Sequence, residues 1–315
     1  MLVTLLLTTS LTTPTWADTA TVDGVTYTYT VSSNGAVILT DASGYGSSIT
    51  IPSQLGGKDV VVIDEGFLYA KDDIDNVKSI TIPATVTRIE KDAFDDDWGS
   101  TNELETVVFL GADGAGALTI VDYDSFKEAT KVTLDRNLSS ESGTGLFAGA
   151  KTVTIGSHVT KLISNGFDGA TSLTTLDLSG ATNLVTIDDT AFYHNSLSEV
   201  TIPGTVTYIG NDAFDVSSAS NDIEKVVFLP VPEGQENKPL KIVDTANFKS
   251  AKDIYLARTI DSASGTTGAG SCLFAAAVNV YIKPGCTAIP AICFNENDNL
   301  TSLDFTNATD HIQHT

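Results

Sequence analysis

The chain has 315 residues, of which 42% are apolar, and its 17 basic and 40 acidic side chains give a net charge of −23. The apolar fraction indicates a folded core and excludes general disorder. The charge argues against nucleic acid and anionic membranes as partners, since phosphate contacts need clustered lysine and arginine. We interpret the acidity as solvation of an extended surface.

Residues 1–17, MLVTLLLTTSLTTPTWA, form a short apolar run followed by small and polar residues. This pattern is typical of the end of a secretory signal peptide, so we expect cleavage after Ala17 and a secreted or cell-surface location. The usual basic start is absent, which leaves open a start further upstream, and a disordered or strand-forming terminus is the alternative. No later segment reaches the ~18 unbroken apolar residues of a membrane span, so no membrane insertion is expected in the mature chain.

One phrase is repeated along the chain. The segment at 200–214, VTIPGTVTYIGNDAF, matches the segment at 80–94, ITIPATVTRIEKDAF, at ten of fifteen positions. Shorter copies of the form xVxI alternate outward and inward side chains, which is the period of a half-buried strand. These copies lie at 48–51, 79–82, 106–109, 131–134, 152–155, 175–178, 199–202, 225–228, 253–256, 279–282 and 302–305.

Most of these predicted strands are followed by a second apolar segment and then by a phenylalanine, for example Phe94, Phe126, Phe167, Phe192 and Phe248. A single unit buries about six apolar side chains worth ~2 kcal/mol each. Ordering its backbone costs ~1–2 kcal/mol per residue, so one unit alone cannot fold. Stacked units share one core, and we expect them to form a cooperative array.

A longer repeat is superimposed on the short one. Residues 80–178 resemble residues 200–305 unit by unit, with an offset that grows from 120 to 127 through loop insertions. We interpret this as the duplication of a block of about five units.

The string xITIPxxVTxIxxxAF resembles the leucine-rich repeats of the BspA-like type, found on secreted and surface proteins of host-associated bacteria and some protists. Pro83 and Pro203 close the first strand as that pattern requires, and Phe94 and Phe214 occupy its AF position. The resemblance implies a right-handed leucine-rich-repeat solenoid, mostly parallel β with short helical turns and about eleven units over residues 48–305.

The segment at 22–40 also resembles the hairpin that often precedes such repeats, and Asn34–Gly35 between two β-rich runs favours a tight turn. Because no cap is recognisable after the last strand and bare edges invite aggregation, we interpret the tail as truncated. The predicted organisation is a signal peptide remnant at 1–17, a β-hairpin cap at 18–47, the solenoid at 48–305 and the tail at 306–315.

Motifs that carry chemistry are scarce. No HExxH, GxSxG, Walker loop or CxxC occurs, so we predict no catalytic residue, no metal ligand and no cofactor, and we do not expect an enzyme. His311 and His314 stand three apart in the polar tail, where an unstructured terminus is the favoured interpretation. The acidic loops at 71–76 and 91–100 are interpreted as solvated, with calcium binding left open.

The cysteines fall in repeat columns. Cys286 takes the place of Val86 and Cys293 that of Ala93, and both columns point inward. We favour buried free thiols, because the replaced residues are small and apolar. A disulfide between Cys286 and Cys293 is the alternative outside the cell.

Threonine is the most frequent residue at the outward third position of the predicted strands, in the series Thr81, Val108, Thr133, Thr154, Asp177, Thr201, Val227, Tyr255, Tyr281 and Asp304. Val227, Tyr255 and Tyr281 should lie side by side at ~4.8 Å intervals on three successive units. Exposed adjacent tyrosines are typical anchors of protein or glycan contact, whereas a ladder of tyrosines packed on each other is the alternative. Trp98 in its acidic loop is a second candidate contact, with packing onto the neighbouring loop as its alternative.

The resemblance therefore implies a secreted or surface-displayed, non-enzymatic binding protein, monomeric, that adheres to host proteins or to other cells. One alternative is a carbohydrate-binding surface protein in which Tyr255 and Tyr281 stack on sugar rings. Another is a structural spacer that displays a further domain. In each case fold alone does not determine function.

Overall fold

The structure is a computed structural model that describes residues 17–68, 77–94, 104–122, 124–142, 145–215, 223–235, 238–261, 272–290, 293–295, 297–306 and 308, with the backbone of 313–314. Within these residues the chain is a parallel β-solenoid with almost no helix, which confirms the predicted fold class. A short 3-10 helix, Asp124–Phe126, ends at one of the core phenylalanines.

The N-terminal segment forms three antiparallel strands, β1 (Asp18–Val22), β2 (Val25–Val31) and β3 (Val37–Ser43). The β2–β3 turn contains the predicted Asn-Gly pair, and Gly35 adopts a φ of 88°, which glycine reaches without steric cost. The β1–β2 hairpin was missed, although its Asp-Gly pair is the same turn signal. β3 pairs in parallel with β6 (Lys58–Ile63), so the cap extends a sheet of the solenoid.

Each of the eleven xVxI segments contains a strand, and these strands build what we call the first face. Their inward residues are buried, except for Leu176, Leu303 and Phe305. Their register is in phase from one strand to the next, as in Thr133 opposite Thr154. The first-face strands are β4 (Ser48–Thr50), β7 (Ser79–Ile82), β9 (Thr106–Phe109), β11 (Lys131–Leu134), β13 (Thr152–Ile155), β15 (Thr175–Asp177), β17 (Glu199–Ile202), β19 (Lys225–Phe228), β21 (Asp253–Leu256), β23 (Asn279–Ile282) and β25 (Ser302–Asp304).

The second apolar segments form the second face. A first-face strand and the second-face strand that follows it make one rung, so β15 begins rung six and β17 begins rung seven. The remaining strands, beside β6, are β5 (Gln54–Leu55), β8 (Arg88–Ile89), β10 (Leu118–Ile120), β12 (Leu138–Ser140), β14 (Lys161–Leu162), β16 (Thr186–Ile187), β18 (Tyr208–Ile209), β20 (Leu240–Ile242), β22 (Ile260–Asp261), β24 (Ala288–Ile289) and β26 (Gln313–His314).

The two faces are interrupted at different places. On the first face, β4 to β15 form one sheet and β17 to β25 another. On the second face, β14 to β22 form a continuous sheet, and there β16 pairs with β18 across the first-face gap. In the part of the chain that the structure describes, the strands of rungs six and seven are therefore paired on the second face only.

A column of phenylalanines fills the core between the faces. The centroids of neighbouring rings lie between 5.0 Å (Phe167 to Phe192) and 6.3 Å (Phe126 to Phe147) apart. Phe248 and Phe274 are connected through Phe228, which contacts both rings. Such ring pairs contribute ~0.5–1.5 kcal/mol each beyond the area that they bury. The column comprises Phe67, Phe94, Phe126, Phe147, Phe167, Phe192, Phe214, Phe248, Phe274 and Phe294.

Two buried arginines mark the duplicated block. Arg136 is 2% exposed and donates hydrogen bonds to the carbonyl oxygens of Val86 at 2.7 Å and Gly116 at 2.8 Å. Arg258, 1% exposed, has the same place in the second copy, where burial lowers its pKa to about 10. The carbonyls that it binds are those of Gly204, Val206 and Lys238. Each guanidinium thus links two preceding turns by hydrogen bonds to their backbone carbonyl groups.

Candidate functional site

The tyrosine ridge, which we define as Val227, Tyr255 and Tyr281, lies on the first face of rungs eight to ten. The three residues are direct neighbours in register, and each is half-buried. The rings of Tyr255 and Tyr281 stack with centroids 4.4 Å apart and planes 13° apart, because in-register parallel strands hold equivalent side chains at about the strand spacing. The two rings thus pack on each other, which is the alternative that the sequence left open for this pair.

Lysines flank the ladder on both sides. Lys225 Nζ lies 6.0 Å from the Tyr255 ring centroid and Lys283 Nζ lies 5.5 Å from the Tyr281 centroid, within the range of cation–π attraction. Desolvation is the main cause that raises the pKa of Tyr281, and the electrostatic effect of the neighbouring Tyr255 raises it further. The faces of the two tyrosine rings contact each other and the flanking lysines, so the ridge presents ring edges and hydroxyl groups outward. Its role in binding stays a prediction.

The other candidate contacts are less well defined. Trp98 and the acidic loop at 71–76 lie outside the described residues, as does most of the loop at 91–100. Across the described ranges, no group of three or more histidine, cysteine, aspartate or glutamate side chains is placed to hold a metal ion.

A cleft that the sequence did not predict opens on the first face between β15 and β17. It encloses about 840 Å³ and is lined by both strands, by the turns after them and by the loop at 229–235 of rung eight. In the described part of the chain the two strands are not paired with each other, although every other pair of neighbouring first-face strands is. The cleft therefore occupies the first-face gap.

The turn after β15 differs from the turn of a regular rung. In a regular rung, the residue just after the strand donates its N–H to the preceding rung, as Gly156 does to the Leu134 oxygen at 2.7 Å. Ser179 instead donates to Oδ1 of Asp177 at 2.9 Å. The rung-six turn is also two residues longer, since six positions separate the buried Leu178 and Leu184 whereas four separate Ile202 and Val206.

Among the described residues, the backbone edges on the two sides of the cleft have no strand partner. Thr175 donates to the oxygen of Lys151, just before β13, and Leu229 beyond β19 donates to that of Ile202. Because consecutive residues of a strand direct their N–H and C=O to opposite sides, the backbone groups of Leu176 face the cleft from β15. By the same alternation, Glu199 and Thr201 face it from β17.

Comparison with known proteins identifies the repeats. The family model described as the BspA type leucine rich repeat region matches residues 64–110 and 115–226, half of the chain, with six copies. The chain belongs to the BspA type leucine-rich repeat family. The resemblance inferred from Pro83, Pro203 and the AF phenylalanines is thereby confirmed.

Several solved structures are similar to this BspA type chain. A leucine rich cell surface protein from Faecalibacterium prausnitzii is 17% identical, with a TM-score of 0.42 and coverage of 93% of this chain and 96% of that one. The pneumococcal vaccine antigen PcpA is 18% identical, with a TM-score of 0.39 and coverage of 93% and 70%. A leucine-rich repeat protein from Bacteroides ovatus is 17% identical, with a TM-score of 0.39 and coverage of 93% and 76%. No curated protein matches the sequence.

The cysteines take the places of inward residues of the BspA type unit. Cys286 and Cys293, both described, are buried and form no disulfide with each other, which agrees with the favoured interpretation. Desolvation raises the pKa of Cys293 to about 12, so its thiol stays protonated and unreactive in the folded chain. As for membranes, the described residues contain no helix that is both long and apolar enough to cross one.

The rim of the cleft in this BspA type protein is acidic. Asp177 is exposed, and the hydrogen bonds that it accepts from Ser179 lower its pKa, so its carboxylate is charged at neutral pH. Glu199 is exposed on the opposite side and contacts Lys225 at 2.9 Å. The cleft thus combines two unpartnered strand edges with negative charge on both banks.

Proposed function

We propose that this BspA type protein is a secreted or surface-displayed, non-enzymatic binding protein that attaches its cell to host proteins or to other cells through the first face. The family membership supports a surface binding role. The tyrosine ridge supports contact with proteins, since adjacent tyrosines combine apolar area with hydroxyl groups that bond to a partner.

Preorganisation favours the ridge as the contact. Tyr255 and Tyr281 hold one another in place by stacking at 4.4 Å, so little side-chain entropy is lost when a partner binds. Lys225 and Lys283 supply positive charge at the ridge of a chain whose net charge is −23. We therefore expect the ridge to prefer an acidic protein surface.

The carbohydrate alternative receives less support. Stacking on a sugar needs a free aromatic face, whereas the faces of Tyr255 and Tyr281 contact each other and the flanking lysines. Ring edges and hydroxyls suit protein contact better.

The test compares a ridge variant with a matched control. Fluorescent beads coated with the purified chain are incubated with a panel of host matrix proteins, with whole cells and with a glycan array. We expect binding to at least one protein or cell type, and we expect Tyr255→Ala/Tyr281→Ala to reduce it about tenfold, as for anchor residues in general. Tyr208→Ala removes a half-buried tyrosine of the second face that lies 6.0 Å from Lys241, and it should leave binding unchanged.

Other outcomes contradict the proposal. Binding confined to the glycan array would assign the protein to the carbohydrate alternative. Attachment that survives loss of both ridge tyrosines in a folded variant would favour the spacer.

A further inference from the structure

We propose that the cleft between β15 and β17 binds an extended, basic peptide segment of a partner protein, which enters as an added strand between the two free edges. The site is separate from the tyrosine ridge, and this inference goes beyond the proposed adhesion. The two sites share no lining residue, although Lys225 contacts both Glu199 of the cleft and the Tyr255 ring of the ridge.

The backbone provides the first argument. Leu176 on one side and Glu199 and Thr201 on the other direct their N–H and C=O groups into the cleft, and none of them has a strand partner there in the described structure. An extended peptide has the same alternation of donors and acceptors, so it can bond to both edges at once. Strand addition of this kind draws its affinity from main-chain hydrogen bonds.

The walls provide the second argument. Val200 is buried in the floor, Leu176 is half-buried, and Leu229 is 39% exposed on the far wall beside Pro230 and Pro232. A strand lying in the cleft would place every second side chain against this apolar surface. The occupant should therefore carry apolar residues at alternate positions. The volume of about 840 Å³ lies within the ~300–1,000 Å³ usual for ligand sites.

The loop at 229–235 forms the third wall of the cleft, and contacts within the fold hold it in place. At Gly204, an added Cβ would lie 1.7 Å from the carbonyl oxygen of Pro230, so only glycine allows the loop at 229–235 to rest against the turn after β17. Arg258 also holds the Gly204 carbonyl at 2.9 Å. The wall is thereby fixed before any ligand arrives, which favours binding.

The negative charge at the rim of the cleft should favour basic peptides over acidic ones. Asp177 and Glu199 stand on opposite banks, and Lys225 is the one cation that the described residues pair with them. The net charge of −23 adds a long-range attraction for cations. The residues of the occupant that alternate with the apolar ones should therefore be lysine or arginine.

The experiment uses three labelled probe peptides and the purified chain. One peptide alternates valine and lysine over nine residues, a second replaces lysine by glutamate, and a third is the lysine peptide with N-methyl groups at alternate residues. Fluorescence anisotropy should show saturable binding of the lysine peptide. The glutamate and N-methyl peptides should each bind at least about tenfold more weakly, because they lack the charge or the backbone donors.

Two variants locate the site. Thr201→Pro removes an N–H that faces the cleft and is not used in the pairing of β17 with β19, and we expect it to weaken lysine-peptide binding about tenfold. Should this variant misfold, Asp177→Asn/Glu199→Gln serves instead, with about threefold to tenfold weaker and less salt-sensitive binding. Tyr255→Ala/Tyr281→Ala must bind the peptide as the native chain does, which separates this inference from the proposed adhesion.

Three results would overturn the inference. The first is the absence of saturable lysine-peptide binding to the native chain. The second is equal affinity for the N-methyl peptide. The third is concentration-dependent self-association that Thr201→Pro abolishes, which would assign the edges to a second copy of the chain.

Discussion

The first copy of the duplicated block ends at β15, in the middle of the chain, and the second copy ends at β25, near the C-terminus. The same turn follows both strands. Ser179 donates to Asp177 Oδ1 at 2.9 Å, and Thr306 donates to Asp304 Oδ1 at 2.7 Å. In each copy the aspartate captures the N–H that a regular rung would offer to the preceding rung. The same Asp-x-Ser/Thr turn thus follows the last strand of the block in both places.

The surroundings of this turn differ between the two ends. At β15 the next rung covers the strand from a distance, so that Leu178 is only 5% exposed. At β25 the equivalent Phe305 is 39% exposed and the inward Leu303 is 45% exposed. The same local sequence thus gives a cleft where another rung comes next and an open apolar end where none is described. The local turn is the same at both ends, and tertiary packing decides the surface that results.

The largest expected effect comes from breaking the core at the cleft. Phe192 stacks at 5.0 Å on Phe167 and at 5.3 Å on Phe214, where the first face is not hydrogen-bonded. Phe192→Ala should cost ~3–5 kcal/mol of unfolding free energy and separate the unfolding of the two halves. Urea denaturation followed by circular dichroism measures both effects.

The control for this change is Phe294→Ala at the other end of the column, where the ring is half-buried. It should cost less and preserve a single transition. Equal costs for the two variants, each with one transition, would show that the cleft is not a weak junction.

The buried arginines test the equivalence of the two copies. Arg136→Leu and Arg258→Leu each leave buried carbonyls without a donor, and each should cost ~3 kcal/mol. Lysine at either position should recover only part of this loss, because one ammonium does not match the fork of the guanidinium. Thermal unfolding of all four variants measures the costs. A difference above ~1.5 kcal/mol between the two leucine variants would contradict their equivalence.

Equivalent side chains at the two block ends should differ in their contribution to stability. Leu178→Ala removes a buried side chain and should cost ~2 kcal/mol, whereas Phe305→Ala removes an exposed one and should cost below ~0.5 kcal/mol. Phe305→Ala should also reduce self-association, which light scattering detects, because it removes exposed apolar surface. A large stability loss for Phe305→Ala would show that this end is covered in solution.

Periodicity accounts for the features that could be predicted from the sequence. The eleven strands and the phenylalanine column follow from alternation and spacing, since a one-residue slip would turn every inward side chain outward. The same column alignment predicted that Val227, Tyr255 and Tyr281 are neighbours, as the register has them. Alternation does not decide whether the rings stack or stand apart, because that depends on rotamers.

The features missed depend on single hydrogen bonds. Asp177 was assigned to the outward series, and nothing in a period-two pattern shows that its carboxylate captures the Ser179 N–H. An arginine just after a strand is usually solvated, so Arg136 and Arg258 passed unnoticed. Their matching places, two residues after Leu134 and Leu256, were the available signal.

The smallest expected effect concerns the two turn aspartates and appears only in acid. Hydrogen bonds from Ser179 and Thr306 lower the pKa of Asp177 and of Asp304 respectively. A carboxylate whose pKa is lower in the folded chain stabilises the fold above its unfolded value of ~3.9, and this contribution is lost as pH falls through the folded pKa. Asp177→Asn and Asp304→Asn keep an acceptor oxygen that does not titrate.

We therefore expect each asparagine variant to unfold at a slightly lower temperature than the native chain at pH 7, because the hydrogen bond to a carboxylate is the stronger one. The difference should shrink as the pH falls below the unfolded value of ~3.9 and be lost once the pH has fallen through the folded pKa of each aspartate. Melting curves recorded by circular dichroism from neutral to acidic pH measure this difference. The melting-temperature difference could turn out to be independent of pH for one of the two variants only. This result would mean that the two turns do not stabilise the aspartate carboxylate in the same way, despite their common sequence.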